Sequence, residues 1–408
     1  MFKPILISKP HLKEESTGGQ IERIFVDNMP KEEFAPTVLC SAYGSQRLRE
    51  KYKDRIIATK EYRFLKVIPA LLRRIGLEGL TFLPDESHYM WGIPTKRYVR
   101  KNLDLSKFDY IHSTSLPCSS HLLALDMKRR SSLPWIAHFY DPWHGNPHRT
   151  QLGNRLKEYD LSLERSVAEN ADFIIHVNYR MYNLWLERYG DIVKDKMCVM
   201  PLILNTNNPA KIKQAKGEDL IISHIGNFGH NRTSEVFITA VNNLFKEHSE
   251  LKDKIKINYI GRVTDNEINL IKQFNLEANF NITGTISEEE CISYYEQTDI
   301  FLAIDGKNSE NIFFPSKIMK YFYYQKPIIG ITPEDSVLTS ELNRAKQTAI
   351  DNDNIAAITE YLQVAATDYD SLNNFDKNYW KRFSIEEVMK QYTEIVKGKL
   401  KKQPQRRV

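Results

Sequence analysis

Short runs rich in β-branched and aliphatic residues alternate, along the chain, with longer stretches whose apolar positions recur every three or four residues. In the first half the strand-like runs are 4–8, 37–41, 110–113, 135–140, 173–178 and 197–202. Helical patterns at 20–27, 119–128, 155–169 and 181–189 lie between them. The second half repeats the alternation, with strands expected at 220–226, 255–261, 280–286, 300–305 and 327–332. Its helices are expected at 234–247, 266–274, 288–297 and 316–324. Strand–helix–strand alternation builds a parallel sheet covered on both faces, so the pattern predicts an α/β protein with two doubly wound lobes. Between them, Asn205, Asn207, Asn208, Pro209 and Gly217 punctuate a segment without apolar periodicity. The expected organisation is a lobe over 1–204, a linker over 205–217, a second lobe over 218–375, and a last segment over 376–408. That segment holds a helix able to return to the first lobe, followed by a basic tail.

Composition narrows the class. Hydrophobic residues make up 41%, charged residues 27% and aromatics 11%, a globular profile. Mean hydropathy is −0.48 and no apolar run approaches the roughly 18 residues of a membrane span, which excludes an integral membrane protein of helical type. The opening residues, Met1 to Lys9, are too short and too interrupted by charge for a secretory signal. Cys40, Cys118, Cys198 and Cys291 stand far apart with no C-x-x-C pair, which argues against structural zinc or a disulfide framework and fits the cytoplasm. With 57 basic and 52 acidic residues the net charge is +5, short of the dense basicity of nucleic-acid binders. The positive charge is concentrated, however. Between Arg47 and Arg74 there are ten Lys or Arg against three acids, interleaved with Tyr62, Phe64, Leu65, Val67, Ile68, Leu71 and Leu72. Such a stretch can lie on an anionic membrane surface, here the inner face of the cell membrane, or form a solvated face over the core; Pro69 interrupts any long helix in it.

In open parallel sheets, ligands bind beyond the carboxyl ends of the strands. Four segments fall there. Gly18 and Gly19 follow the first strand and open the first helix, where a bare backbone can approach a ligand, though a plain turn accounts for them equally well. Gly226 and Gly229 lead through a loop to Arg232, just before a helix with Thr233 or Ser234 as cap, where a guanidinium can fork onto a pyrophosphate. Pro315, Ser316 and Lys317 follow another strand, with Ser316 expected to satisfy free N–H groups and Lys317 placed for an anion. In the first lobe, His138, Asp141 and His144 gather at a strand end, where an acid or imidazole can orient or deprotonate a hydroxyl. Asp351 and Asp353 form a D-x-D pattern in an Asn/Asp-rich segment that reads as a turn, and no metal site is expected. Walker, G-x-S-x-G and H-E-x-x-H motifs are absent.

Taken in order, these motifs resemble those of the GT-B glycosyltransferases of family 4 (group 1), in a bacterial branch. The likeness runs through Gly18-Gly19, Pro84-Asp85 with Trp91, and Pro134-Trp135 with Asp141-Pro142-Trp143. It continues through Leu163-Glu164-Arg165, Ala171-Asp172, Gly226 with Arg232, Gly284-Thr285-Ile286, Thr298-Asp299, and Pro315-Ser316-Lys317 with Tyr321. The resemblance implies two Rossmann-like lobes facing across a cleft. It implies transfer of a hexose-type sugar, with retention, from a nucleotide-sugar donor to a glycan or lipid-linked acceptor in cell-surface polysaccharide or glycoconjugate synthesis. The donor would lie in the second lobe on Gly226, Arg232, Pro315, Ser316 and Lys317, its base against Gly284, Thr285 and Ile286, with no metal or other cofactor. The acceptor would meet Asp141 with His138 or His144. One departure stands out: where the family has two glutamates eight residues apart, this chain has Ile312 and Lys320, with Glu310 close enough to stand in for one. A sugar-nucleotide epimerase of similar architecture is the alternative enzyme, although the expected ordered set of carboxylates and histidines is missing. A catalytically inactive glycosyltransferase-like binding protein is the other alternative.

Overall fold

The computed structural model describes residues 1–66, 71, 85, 87–115, 117–146, 154–207, 210, 217–229, 232–306 and 312–400. The chain divides into two units, one made of Met1–Asn205 with Phe383–Val408 and the other of Thr206–Arg382.

Unit 1 holds strands β1 (Pro4–Ile7), β2 (Thr37–Ser41), β3 (Ile56–Thr59), β4 (Tyr110–Thr114), β5 (Trp135–Phe139), β6 (Phe173–His176) and β7 (Met197–Val199). They form a sheet in the order β3-β2-β1-β4-β5-β6-β7, every pair parallel. Its helices are α1 (Thr17–Asp27), α2 (Gln46–Tyr52), α3 (Ile93–Asn102), α4 (Ser119–Arg130), α5 (Asn154–Asn170) and α6 (Tyr179–Tyr189). Unit 2 holds β8 (Leu220–Ile225), β9 (Ile255–Ile260), β10 (Phe280–Gly284), β11 (Ile300–Ile304), β12 (Ile328–Ile331) and β13 (Thr348–Ile350). The parallel order there is β10-β9-β8-β11-β12-β13. Between these strands run α7 (Glu235–Glu247), α8 (Asp265–Gln273), α9 (Glu288–Gln297), α10 (Ile318–Tyr323), α11 (Val337–Arg344) and α12 (Ile355–Thr367). The last helix, α13 (Ile385–Leu400), rejoins unit 1.

The central strands are buried on both faces, as β1 (Pro-Ile-Leu-Ile) and β11 (Ile-Phe-Leu-Ala-Ile) illustrate, because helices cover each side of a parallel sheet. Local chemistry sets the helix starts. Ser16 Oγ accepts from Gly19 N at α1, and Ser287 and Glu290 form a reciprocal capping box at α9. In unit 1 the core joins Leu6, Phe25, Val38 and Ile136 to Val388, Met389 and Tyr392 of α13. The Tyr392 hydroxyl closes that contact, 2.9 Å from Tyr110 Oη and 2.7 Å from His112 Nδ1. In unit 2, Phe237 and Val241 of α7 pack with Ile222, Ile257 and Leu302 of the sheet and Leu362 of α12.

Strands β3 and β13 add to the alternation read from the sequence. Both are short and partly exposed, and each is the last strand on its side of a sheet, so neither carries a strong apolar run. In both sheets the chain winds outward from the first strand, then crosses to its other side. The topological switch therefore falls between β1 and β4 in unit 1 and between β8 and β11 in unit 2. The crevice outside such a switch is where an open α/β sheet binds ligands. No described helix is long and apolar enough to cross a membrane.

Candidate functional site

Beside the unit 2 switch, the ends of β8, β9 and β10 come together through the backbone of Gly226, Gly261 and Gly284. A Cβ at Gly261 (φ +134°) would sit 2.2 Å from the Gly226 carbonyl oxygen, and Gly261 bridges Gly284 (φ +70°). Glycine is required at Gly261 by both its conformation and the contact. The loop after Gly226 is pinned by Arg262 N donating to Asn227 Oδ1 (2.9 Å) and Phe228 N donating to Arg262 O (2.8 Å). Gly229 and Arg232 then exchange backbone hydrogen bonds of 3.0 and 3.1 Å, turning the chain back.

Charged side chains converge on this backbone. Arg232 NH2 lies 3.7 Å from Oδ1 of Asp305, the residue that follows β11. Arg232 Nε and Asp305 Oδ2 are buried without a hydrogen-bond partner. Burial raises the Asp305 pKa, while Arg232 pulls it the other way. Lys317 Nζ comes within 3.5 Å of the point a Gly226 Cβ would occupy, and His224 Nε2 within 2.9 Å. The Lys317 pKa is lowered, first by burial and then by Arg232 and Lys320, against the opposing influence of Cys291. His224 Nδ1 is 3.0 Å from the Leu302 carbonyl, which only accepts, so the ring carries its proton on Nδ1 and presents a lone pair at Nε2. Burial pushes its pKa down to about 3. Lys317 beside the Gly226 backbone, with the Arg232 charge acting on it, suits a multiply charged oxyanion such as a pyrophosphate.

Of the remaining residues expected here, Thr285 is exposed and Ile286 half-buried, just beyond Gly284. Ser316 does not cap: α10 begins at Ile318, with Lys317 in helical conformation at the cap position and no side-chain cap. Pro315 contributes its carbonyl to Ile318 N at 2.9 Å. Thr233 Oγ1 accepts from Glu235 N at 3.3 Å before α7. Glu310 lies outside the described residues. Asp351 Oδ1 accepts from Asp353 N at 3.0 Å, a side-chain turn, and the intervening Asn352 donates to the Asp305 carbonyl (3.0 Å). Among the described residues no cluster of His, Cys, Asp and Glu is placed to hold a metal.

The unit 1 edge is built differently. Asp141, just past β5, is half-buried, and burial alone pushes its pKa up to about 6. Ser115 Oγ accepts from Tyr140 N (2.8 Å) and Asp141 N (3.4 Å), fixing the backbone that carries it. Beyond it, Trp143 Nε1 donates to Asp160 Oδ1 (2.8 Å), and His144 N donates to Glu164 Oε2 (2.6 Å). Glu164 also receives Arg188 (2.5 Å) and the Tyr189 hydroxyl (2.7 Å). His144 Nδ1 stands 4.0 Å from Asp160 Oδ2. His138 lies within the sheet, its ring among Phe25, His112 and Tyr140 and both nitrogens unpartnered; burial holds its pKa well below the usual value. A side chain on Gly18 would make ordinary contacts with Pro10 and Ser16 at 3.9 Å, whereas one on Gly19 would meet the Pro10 carbonyl at 2.4 Å, so Gly19 is explained by chain packing.

Residues 25–208 match the family described as Glycosyltransferase Family 4, and residues 206–382 match Glycosyl transferases group 1. The chain belongs to the family 4, group 1 glycosyltransferases. No curated protein matches it in sequence. Solved structures agree with the GT-B fold. A glycosyltransferase from Rickettsia africae is 14% identical with a TM-score of 0.66, covering 98% of this chain and 99% of that one. Sucrose-phosphate synthase from Thermosynechococcus elongatus is 13% identical at 0.65, covering 98% and 99%. Anabaena HepE in complex with UDP-glucose is 10% identical at 0.65, covering 98% and 100%.

In this glycosyltransferase the two departures from the family pattern are both accommodated. Lys320 is ion-paired with Glu288 of α9, its ammonium 5.6 Å over the Tyr295 ring, and Ile312 is buried. Three buried ionisable residues at these edges escaped the sequence reading. Glu22 of α1 is fully buried near the Thr114 and Tyr140 hydroxyls, its pKa pushed up to about 7 by burial. Asp305 and His224 are the others. A carboxylate directly after a strand was a usable signal for Asp305. Glu22 and His224 look like ordinary helix and strand positions until the packing is known.

Proposed function

We propose that the chain transfers a sugar, of hexose type and with retention, from a nucleoside-diphosphate donor to a hydroxyl of a glycan, free or lipid-linked, on the cytoplasmic side of the membrane. Lys317 beside the Gly226 backbone, with the Arg232 charge close enough to act on it and paired with Asp305 at the same edge, carries this reading. There the leaving pyrophosphate would accept hydrogen bonds from both cations, whose charge offsets the negative charge growing on the breaking glycosidic oxygen. Asp305, already beside Arg232, orients the guanidinium. These residues supply the stabilisation that a metal provides elsewhere, so turnover is expected to survive chelation. Among the structural relatives, HepE was crystallised with UDP-glucose and TarM with UDP, which makes a nucleoside diphosphate the first ligand to try.

Asp141 takes the acceptor side. A carboxylate whose pKa burial has moved toward neutrality can receive or hold the hydroxyl proton, and the Trp143–Asp160 and His144–Glu164 bonds keep its loop in place. His144 flanks the acceptor and His138 supports the loop from below. Calorimetry of the intact chain with UDP, GDP and ADP tests the reading. One of the three is expected to bind, and to bind more weakly in Lys317→Ala. If none binds, sugar transfer from a nucleotide donor is wrong.

A further inference from the structure

The basic stretch beginning at Arg47 loses much of its charge in the folded chain. Arg47 pairs with Glu14 (3.0 Å), Lys51 and Arg55 share Asp27 (2.9 and 3.4 Å), and Arg49 donates to the Ala42 carbonyl. The Lys66 side chain, Arg73 and Arg74 lie outside the described residues. Among the described residues, one group of cations is compact. Arg63 stacks 4.1 Å over the Tyr43 ring, Lys13 approaches the same ring at 5.6 Å, and Lys60 lies 5.3 Å over Tyr62. Phe64 meets Tyr62 edge-on at 5.9 Å and is 69% exposed; Tyr43 is 45% exposed.

This rim is held from beneath. Glu61, between Lys60 and Tyr62, is a buried carboxylate that pairs with Lys9 (3.2 Å) and accepts from Ser41 Oγ (2.7 Å). Lys9 in turn donates to Ser87 Oγ at 2.8 Å, and Tyr62 N donates to the Met90 carbonyl at 2.8 Å. The acidic partner is thus spent inward, and the cations and rings face out at the carboxyl ends of β2 and β3.

We infer that this rim is a subsite for an acceptor saccharide carrying a carboxylate or phosphate. A guanidinium stacked on a ring keeps its N–H edge free for a planar oxyanion, and flat exposed rings pack against the C–H faces of sugars. Three cations clustered on two tyrosines suit one charged group on a saccharide better than the spread charge of a leaflet. The inference rests on the acceptor-lobe reading of unit 1.

The test titrates the full chain with trigalacturonate and with its neutral methyl ester. Wild type is expected to favour the anionic form by about tenfold or more at low salt. Lys60→Gln with Arg63→Gln should erase that preference, and Tyr43→Ala should weaken both forms alike. Lys101→Gln with Arg129→Gln, an equal charge loss at exposed positions elsewhere on unit 1, should change neither. Equal binding of both forms, no binding of either, or the same loss in the control pair overturns the inference. So does site-dependent sedimentation with phosphatidylglycerol vesicles without saccharide binding, which would make the rim a membrane contact. Nucleoside-diphosphate binding, measured alongside, fails only if the donor-site reading fails.

Discussion

The two strand-end edges solve opposite problems with the same topology. Unit 2 brings Lys317 to the Gly226 backbone and sets Arg232 beside Asp305, the arrangement proposed to meet an outside charge. Unit 1 withdraws titratable groups from water: Glu22, His112, His121, His138 and His176 are all buried. An ionisable residue in the first setting is defined by what it can bind, and in the second by the charge it is denied. Residue type alone does not distinguish them.

The largest expected consequence is acid sensitivity confined to unit 1. Burial holds His11 and His88 down to about 4, His112, His121 and His176 to about 3, and His138 lower than its usual range, whereas unit 2 has only His224 in this state among its described residues. Unfolding lets each histidine take a proton below its ordinary pKa near 6.5. Their stabilising effect is therefore complete above that pH and is lost as pH falls, by at most about 1.4 kcal/mol per histidine per pH unit. Glu22, Asp141 and Glu164, with raised pKa values, act in the opposite direction but are outnumbered. Hydrogen exchange at pH 7 and pH 5 should show unit 1 opening by several kcal/mol more easily at the lower pH, with unit 2 changing less. Equal loss in both units would erase the contrast.

Asp141→Asn should reduce kcat by about 100-fold with nucleotide affinity unchanged, as a general base at the acceptor would. In wild type, kcat should fall as pH drops through about 6, where the carboxylate takes up its proton, and the variant should lack that limb. Parallel loss of nucleotide binding would mean that the two edges are not separable. Arg232→Ala and Lys317→Ala should each weaken nucleoside-diphosphate binding by about 1.5–3 kcal/mol, the scale of hydrogen bonds to charged groups, with thermal stability little changed. The smallest effect has the opposite sign. Gly18→Ala makes only ordinary contacts, at 3.9 Å to Pro10 and Ser16, at a helical position and should stabilise by about 0.4–1 kcal/mol, whereas Gly226→Ala would press on His224 and Lys317 and lower donor affinity. A clear loss of activity in Gly18→Ala would put a ligand at that loop.

The alternation of strands and helices was legible in the sequence because fully buried parallel strands must be apolar on both faces. The glycine and arginine of the 226–232 loop were legible because strand-to-helix loops leave few roles for them. The capping role expected of Ser316 was not met, because the first turn of α10 starts two residues later. Charge was the least legible quantity. The stretch from Arg47 reads as strongly basic only while Glu14 and Asp27, which come from earlier in the chain, are out of view. His138 read as a strand-end base, yet its ring is buried among Phe25 of α1, His112 and Tyr140, which only the packing reveals.

The return of α13 to unit 1 has a consequence for the order of synthesis. Tyr392 meets Tyr110 and His112 across separations of 282 and 280 residues, with the whole of unit 2 emerging in between. The first sheet to leave the ribosome is thus among the last structures to be completed. Until α13 arrives, the aromatic groove of Phe25 and Phe34 that receives Tyr392 stands open to other chains and to chaperones. Unit 2, made of one uninterrupted segment, can close as soon as Arg382 is translated.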